Sequence, residues 1–130
     1  MKSSIFILLF TISCLATGQN YEGKFHLADS LVYAKIDSVA NAKKGYQLYR
    51  ELYKEVPEEI TFWNLYDLAY AANKFNDTEK GFYWLEKTLA HYQEDDVAFI
   101  VDKEAQKELY NLAKSPKWKD FQQKVQARIN

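Results

Sequence analysis

Residues 79–89 read EKGFYWLEKTL, and residues 43–52 read KKGYQLYREL. Both have helical character, and both carry lysine, glycine and an aromatic residue in succession. Glycine inside a helix costs about 1 kcal/mol relative to alanine, so its appearance twice in the same context asks for a reason. Aligned on the glycines, Gly45 meets Gly81, Tyr46 meets Phe82, Tyr49 meets Leu85 and Leu52 meets Thr88, at a constant offset of 36 residues. A side chain obstructs close helix contact and glycine does not. Both positions therefore point to a neighbouring helix at short range, and for Gly81 the expected neighbour is Ala69.

Helical periodicity extends over most of the chain outward from these segments. Ala28, Leu31, Val32, Ile36 and Val39 recur at three- and four-residue steps and predict a first helix over 25–40. The second is expected over 43–55, with Gly45, Leu48, Tyr49, Leu52 and Val56 as its stripe and Pro57 just past its end. A third, over 59–74, is apolar on more than one side, as in a helix sandwiched between neighbours. Asn76 or Asp77 then caps a fourth helix that runs to Tyr92 and buries Gly81, Phe82, Leu85, Thr88, Leu89 and Tyr92. Residues 93–96 read as a solvated loop, and residues 96–100 as either a short extended piece or a turn. A fifth helix is expected over 103–113, and Ser115-Pro116 opens a sixth that carries Trp118, Phe121, Val125 and Ile129. The fold class is all-α, and connections this short make consecutive helices antiparallel hairpins.

A period near 34 residues with two helices per unit resembles the tetratricopeptide repeat (TPR). That family places a small residue early in its second helix, a bulky apolar residue four positions later, a contact residue three after that and a proline five beyond. Gly45, Tyr49, Leu52 and Pro57 have those spacings. In the next unit Leu68-Ala69 supplies the large-then-small pair of a first helix, and Gly81, Leu85 and Thr88 answer from the second. The chain departs from the pattern in two places. No proline follows Thr88 at the expected distance, and Trp63 lies two residues from the usual tryptophan position, which an insertion of two residues after Pro57 explains. The resemblance covers about Lys24 to Tyr92, and the region after Glu94 would form a divergent third hairpin acting as a cap. It implies a short α-solenoid, with an ordinary helical bundle as the alternative. In the family the first helices line a concave groove that holds extended peptides. The residues facing it here would be Trp63, Tyr66, Tyr70, Asn73 and Lys74, with Asn73 and Lys74 holding a peptide backbone or carboxylate. The competing reading places this face in the core.

The first segment, MKSSIFILLFTISCLATGQN, reads as a secretory signal. Lys2 gives a positive start, residues 5–12 are apolar but too short for the ~20 residues that span a bilayer, and Ala16-Thr17-Gly18 supplies the small residues of a cleavage site. Cleavage is expected after Gly18, leaving one domain over 19–130. Ser13-Cys14 also resembles a lipoprotein signal, in which Cys14 would carry a lipid anchor; Thr11 stands where leucine is usual, which favours simple cleavage.

Composition excludes several function classes. Cleavage after Gly18 removes Cys14, the one cysteine of the 130 residues, and with it thiol catalysis, disulfides and thiolate metal sites. Stability must then come from an apolar core, to which the aromatic 16% of the chain is suited. The formal charge is −1 with signs mixed along the chain, so no basic stripe in the sequence argues for nucleic acid. No cofactor motif is present. His91 with Glu94, Asp95 and Asp96 is a poor match to zinc geometry and reads as a solvated helix end. His26, Asp29 and Ser30, crowded at one helix start, cannot form a nucleophile relay. Asn76-Asp77-Thr78 is formally a glycosylation sequon but reads better as a helix cap. The expectation is a non-catalytic, exported protein-interaction module that binds a protein or peptide. The alternative is a structural accessory subunit without a groove, docking through an apolar patch on the last helix around Trp118 and Phe121.

Overall fold

The computed structural model describes residues 21–92 and 97–129. The signal reading of residues 1–18, the lipidation reading of Cys14 and the 93–96 loop lie outside these residues. Among them the chain is helical and contains no strand. Helix α1 covers residues 21–32, followed by α2 (Ser38–Glu55), a 3-10 turn (Pro57–Glu59), α3 (Phe62–Lys74) and α4 (Thr78–His91). A second 3-10 turn (Val97–Val101) leads to α5 (Lys103–Glu108), α6 (Tyr110–Ala113) and α7 (Lys117–Ile129).

The first helix boundary differs from the periodicity reading. Helix α1 stops at residue 32, and α2 begins five residues before the expected start, so Gly45 lies in its middle. The linker is held by specific bonds. Asp37 adopts a left-handed conformation (φ 47°), which aspartate tolerates better than most residues, and Asn41 Nδ2 donates to the Ile36 carbonyl at 2.8 Å. The break divides the supposed stripe. Ala28 and Val32 are fully buried, whereas Ile36 (80% exposed) and Val39 (48%) face solvent.

Helix α3 starts at Phe62 because Thr61 caps it. The Asn64 backbone N–H donates to the Thr61 hydroxyl, and the Asn64 side chain accepts from the Thr61 N–H, a reciprocal capping box. Asp77 caps α4, accepting from Lys80 N at 3.1 Å, and Lys80 Nζ pairs with the same carboxylate at 2.8 Å. That bond to Lys80 holds the Asp77 carboxyl below its ordinary value. Residues 97–101, ambiguous in sequence, form a 3-10 turn that buries Val97 and Ile100.

Helix α3 is central, packing on α2, α4 and α6, while α7 closes over α4 and the second 3-10 turn. Leu65, Leu68, Ala69, Ala71 and Ala72 are buried, as expected of a sandwiched helix. Trp84 Nε1 donates to Tyr46 Oη at 2.9 Å and ties α4 to α2.

Both glycines of the opening motif lie at contacts too tight for a side chain, but against different neighbours. A Cβ at Gly45 would come within 3.0 Å of the Ala28 carbonyl oxygen and the Val32 nitrogen, both backbone atoms of α1. At Gly81 it would collide with the side chain of Leu112 in α6, not with Ala69. Gly45 thus packs toward the preceding helix and Gly81 toward a later one.

The expected fifth helix is broken at Leu109 (φ −100°, ψ 45°). Nothing in residues 103–113 alone announces this break; its cause is a side chain from α3, described below. In α7, Trp118 and Phe121 are 5% and 1% exposed and pack on Phe82. The apolar patch expected there for an accessory subunit is therefore core, because α7 turns its apolar stripe onto α4.

Candidate functional site

The α3 face proposed from sequence divides into an exposed part and a buried part. Trp63 is 58% exposed, with its ring against Phe62, Tyr66 and Phe99 at centroid distances of 5.0–6.0 Å. Tyr70, two turns further along α3, is half-buried and stacks on Tyr33 at 4.8 Å, with the planes tilted by 22°. Lys74 places its ammonium 4.9 Å from the centre of the Tyr70 ring and donates to the Val32 carbonyl at 2.6 Å. This bond satisfies one of the free carbonyls at the end of α1. Burial lowers the Lys74 pKa.

Tyr66 and Asn73 are not available to a ligand. Tyr66 is buried and its hydroxyl donates to Glu108 Oε2 at 2.7 Å. Asn73 is fully buried. It does hold a backbone, as its residue type suggested, but the backbone is that of its own chain. Its Oδ1 accepts from the N–H groups of Asn111 (2.7 Å) and Leu112 (3.1 Å), and its Nδ2 donates to the Glu108 carbonyl at 3.1 Å. In an unbroken helix Leu112 N–H would donate to Glu108 C=O. The Asn73 amide inserts between these two groups and satisfies both, which is why α5 and α6 are separate helices. The Asn111 side chain returns a bond to the Asn73 carbonyl at 2.7 Å.

Beneath the aromatic face lies Asp67, 6% exposed. Its carboxylate accepts from the hydroxyls of Tyr33 and Tyr49. Desolvation raises its pKa to about 6, against the lowering effect of those hydrogen bonds, and the nearby charges of Asp29 and Glu108 push it the same way as burial. The phenols of Tyr33, Tyr49 and Tyr66 are pushed up, first by burial and then by these carboxylates. Asp67 was not singled out from sequence. A lone aspartate within an apolar helix at 62–72 was the available signal.

What remains open to solvent is a strip of aromatic surface along α3 and its neighbours: Trp63, the half-buried Tyr70, Tyr33 (45% exposed) and Tyr110 (46%). Such rings offer large, rigid contact area at low entropic cost. The sequence reasoning missed Tyr33 and Tyr110, which reach the strip only through the turn after α1 and the break before α6.

The other candidate sites of the sequence are placed as follows. The Ser30 hydroxyl donates to the backbone carbonyl of His26 at 2.9 Å and makes no relay with the imidazole. His91 is exposed at the end of α4, and its possible partners Glu94 to Asp96 lie outside the described residues. Among the described residues no group of three or more His, Cys, Asp or Glu is placed to hold a metal ion, and no helix is long and apolar enough to cross a membrane. No protein-family model, curated protein or solved structure matches the chain.

Proposed function

We propose that this chain is a non-catalytic protein-interaction module, exported by the signal read at residues 1–18, which engages a protein or peptide along the aromatic strip of α3. The observation that carries this reading is Trp63, an indole more than half exposed on the same helix face as Tyr70, two turns away, while the polar residues beneath the strip are occupied by internal bonds. A short TPR-like solenoid is the architecture proposed for it. The 36-residue spacing of Gly45 and Gly81 and the succession of short-linked helices support that architecture.

The test compares the wild-type chain with Trp63→Ala and Tyr70→Ala in affinity capture from the native envelope fraction, followed by direct titration of each captured protein. A partner whose affinity falls at least tenfold in Trp63→Ala, with the melting temperature unchanged, supports the strip. Equal binding by wild type and both variants refutes it.

A further inference from the structure

On the side of the molecule formed by α2 and α4, a second surface has a different chemistry. Three clefts run end to end between these helices and share lining residues. The first, at the start of α4, and the second have Tyr46, Arg50 and Lys80 in common; the second and third meet at Tyr53. The floor is the buried Tyr46–Trp84 pair, joined by its hydrogen bond, with Tyr53 against Trp84 at 5.4 Å. One wall is the α2 stripe Lys43, Gln47, Arg50 and Lys54, spaced by four, three and four residues along one helix face. The other is Lys80, Tyr83 and Lys87 of α4.

The charge on this groove is one-sided. Lys43, Arg50, Lys54, Lys80 and Lys87 border it, against Asp77 and Glu79 at one end. Of the five cations only Lys80 has an ion-pair partner among the described residues, Asp77. Two of the others lie over rings at the walls and floor: Arg50 is 6.0 Å from the centre of Tyr46, and Lys87 is 5.5 Å from that of Tyr83. Stacking of this kind holds a guanidinium in place while leaving its edge free to bind a carboxylate in two-pronged fashion. The whole chain carries a formal charge of −1, so the positive field is local to this groove. Its far end changes character and is lined by Pro57, Ile60 and Leu65.

We infer that the α2–α4 groove binds an extended acidic protein segment, with carboxylates along Lys43, Arg50 and Lys54 and an apolar side chain toward Ile60 and Leu65. From Lys43 to Lys54 the helix rises about 16 Å, the length of about five extended residues at roughly 3.3 Å each. The apolar end suits an acidic peptide that also carries apolar side chains better than the uniform polyanion of a nucleic acid. This inference is independent of the α3 strip.

The test uses the full chain and three labelled probes, read by fluorescence anisotropy: an acidic decapeptide of Asp and Glu with two leucines near one end, a decapeptide with Lys in place of the acids, and a ten-nucleotide single-stranded DNA. The acidic peptide is expected to bind, to weaken with added salt, and to lose at least tenfold in affinity in Arg50→Glu and in Lys54→Glu. Lys54 is exposed and Arg50 partly exposed, and thermal melts of the variants, Lys54→Glu above all, should match wild type. Trp63→Ala should bind the acidic peptide as wild type does. No binding of the acidic peptide, binding unchanged by both charge reversals, or tighter binding of the DNA or of the lysine peptide would each overturn the inference.

Discussion

Replacing Asn73 with alanine separates a ligand-binding role from a structural one. The side chain is fully buried and makes three hydrogen bonds to the backbone of residues 108–112. At a net value of about 1 kcal/mol each, their loss costs about 3 kcal/mol. One bond is recoverable: if α5 and α6 straighten, Leu112 N–H can reach the Glu108 carbonyl directly, which lowers the cost to about 2 kcal/mol. For a domain of about 100 residues this corresponds to a fall in melting temperature of roughly 10–20 °C. Thermal and urea unfolding followed by far-ultraviolet circular dichroism measure it, and hydrogen exchange at Asn111 and Leu112 localises it. Both amides should lose protection ahead of the core of α3. A loss below about 0.5 kcal/mol, with protection at Asn111 and Leu112 intact, would refute the clamp and return Asn73 to the pool of residues free to meet a partner.

Four further outcomes are expected. Gly45→Ala gains about 1 kcal/mol of helix propensity but drives a Cβ against the α1 backbone, an overpacking cost of about 1–3 kcal/mol; urea unfolding should show net destabilisation. At Gly81 the obstacle is the Leu112 side chain, so Gly81→Leu should destabilise and Gly81→Ala should be partly rescued by Leu112→Ala in a double-mutant cycle. Asp67 has a folded pKa of about 6, above its unfolded value, so the stability it contributes is full below about pH 4 and is lost as pH rises through 6. The stability difference between wild type and Asp67→Asn should therefore shift against wild type from pH 4 to pH 7, by on the order of 3 kcal/mol; urea midpoints across that range that move in parallel would show otherwise. Trp63→Ala, at a site 58% exposed, should change stability by less than about 1 kcal/mol while weakening partner capture, as thermal melts run beside the binding assay will show.

The helical class was legible in the sequence because apolar residues at three- and four-residue steps state a helix face without reference to anything distant. Local chemistry was legible for the same reason: Asp77 caps α4 and Pro57 follows α2. The glycine pair correctly announced two tight contacts, since a missing side chain is visible in the chain itself. The identity of the neighbours was not visible. Gly81 meets Leu112, 31 positions away, and not Ala69.

The candidate site shows the same division. Trp63, Tyr66, Tyr70, Asn73 and Lys74 do lie on successive turns of α3, yet helical spacing cannot say what covers each turn. Glu108 and the break at Leu109 cover Tyr66 and Asn73; Tyr33, carried by the turn after α1, stacks on Tyr70. The break in turn depends on an amide arriving from 35 residues earlier, so residues 103–113 read alone predict one continuous helix. What the sequence by itself determined is the all-helical class, the cap of α4 and two positions at which helices pack without room for a side chain. Only the tertiary structure decided which partner fills each contact, which aromatics stay at the surface, and which cations gather between α2 and α4. Those outcomes depend on burial and hydrogen bonding between groups far apart in the chain, which no local pattern encodes.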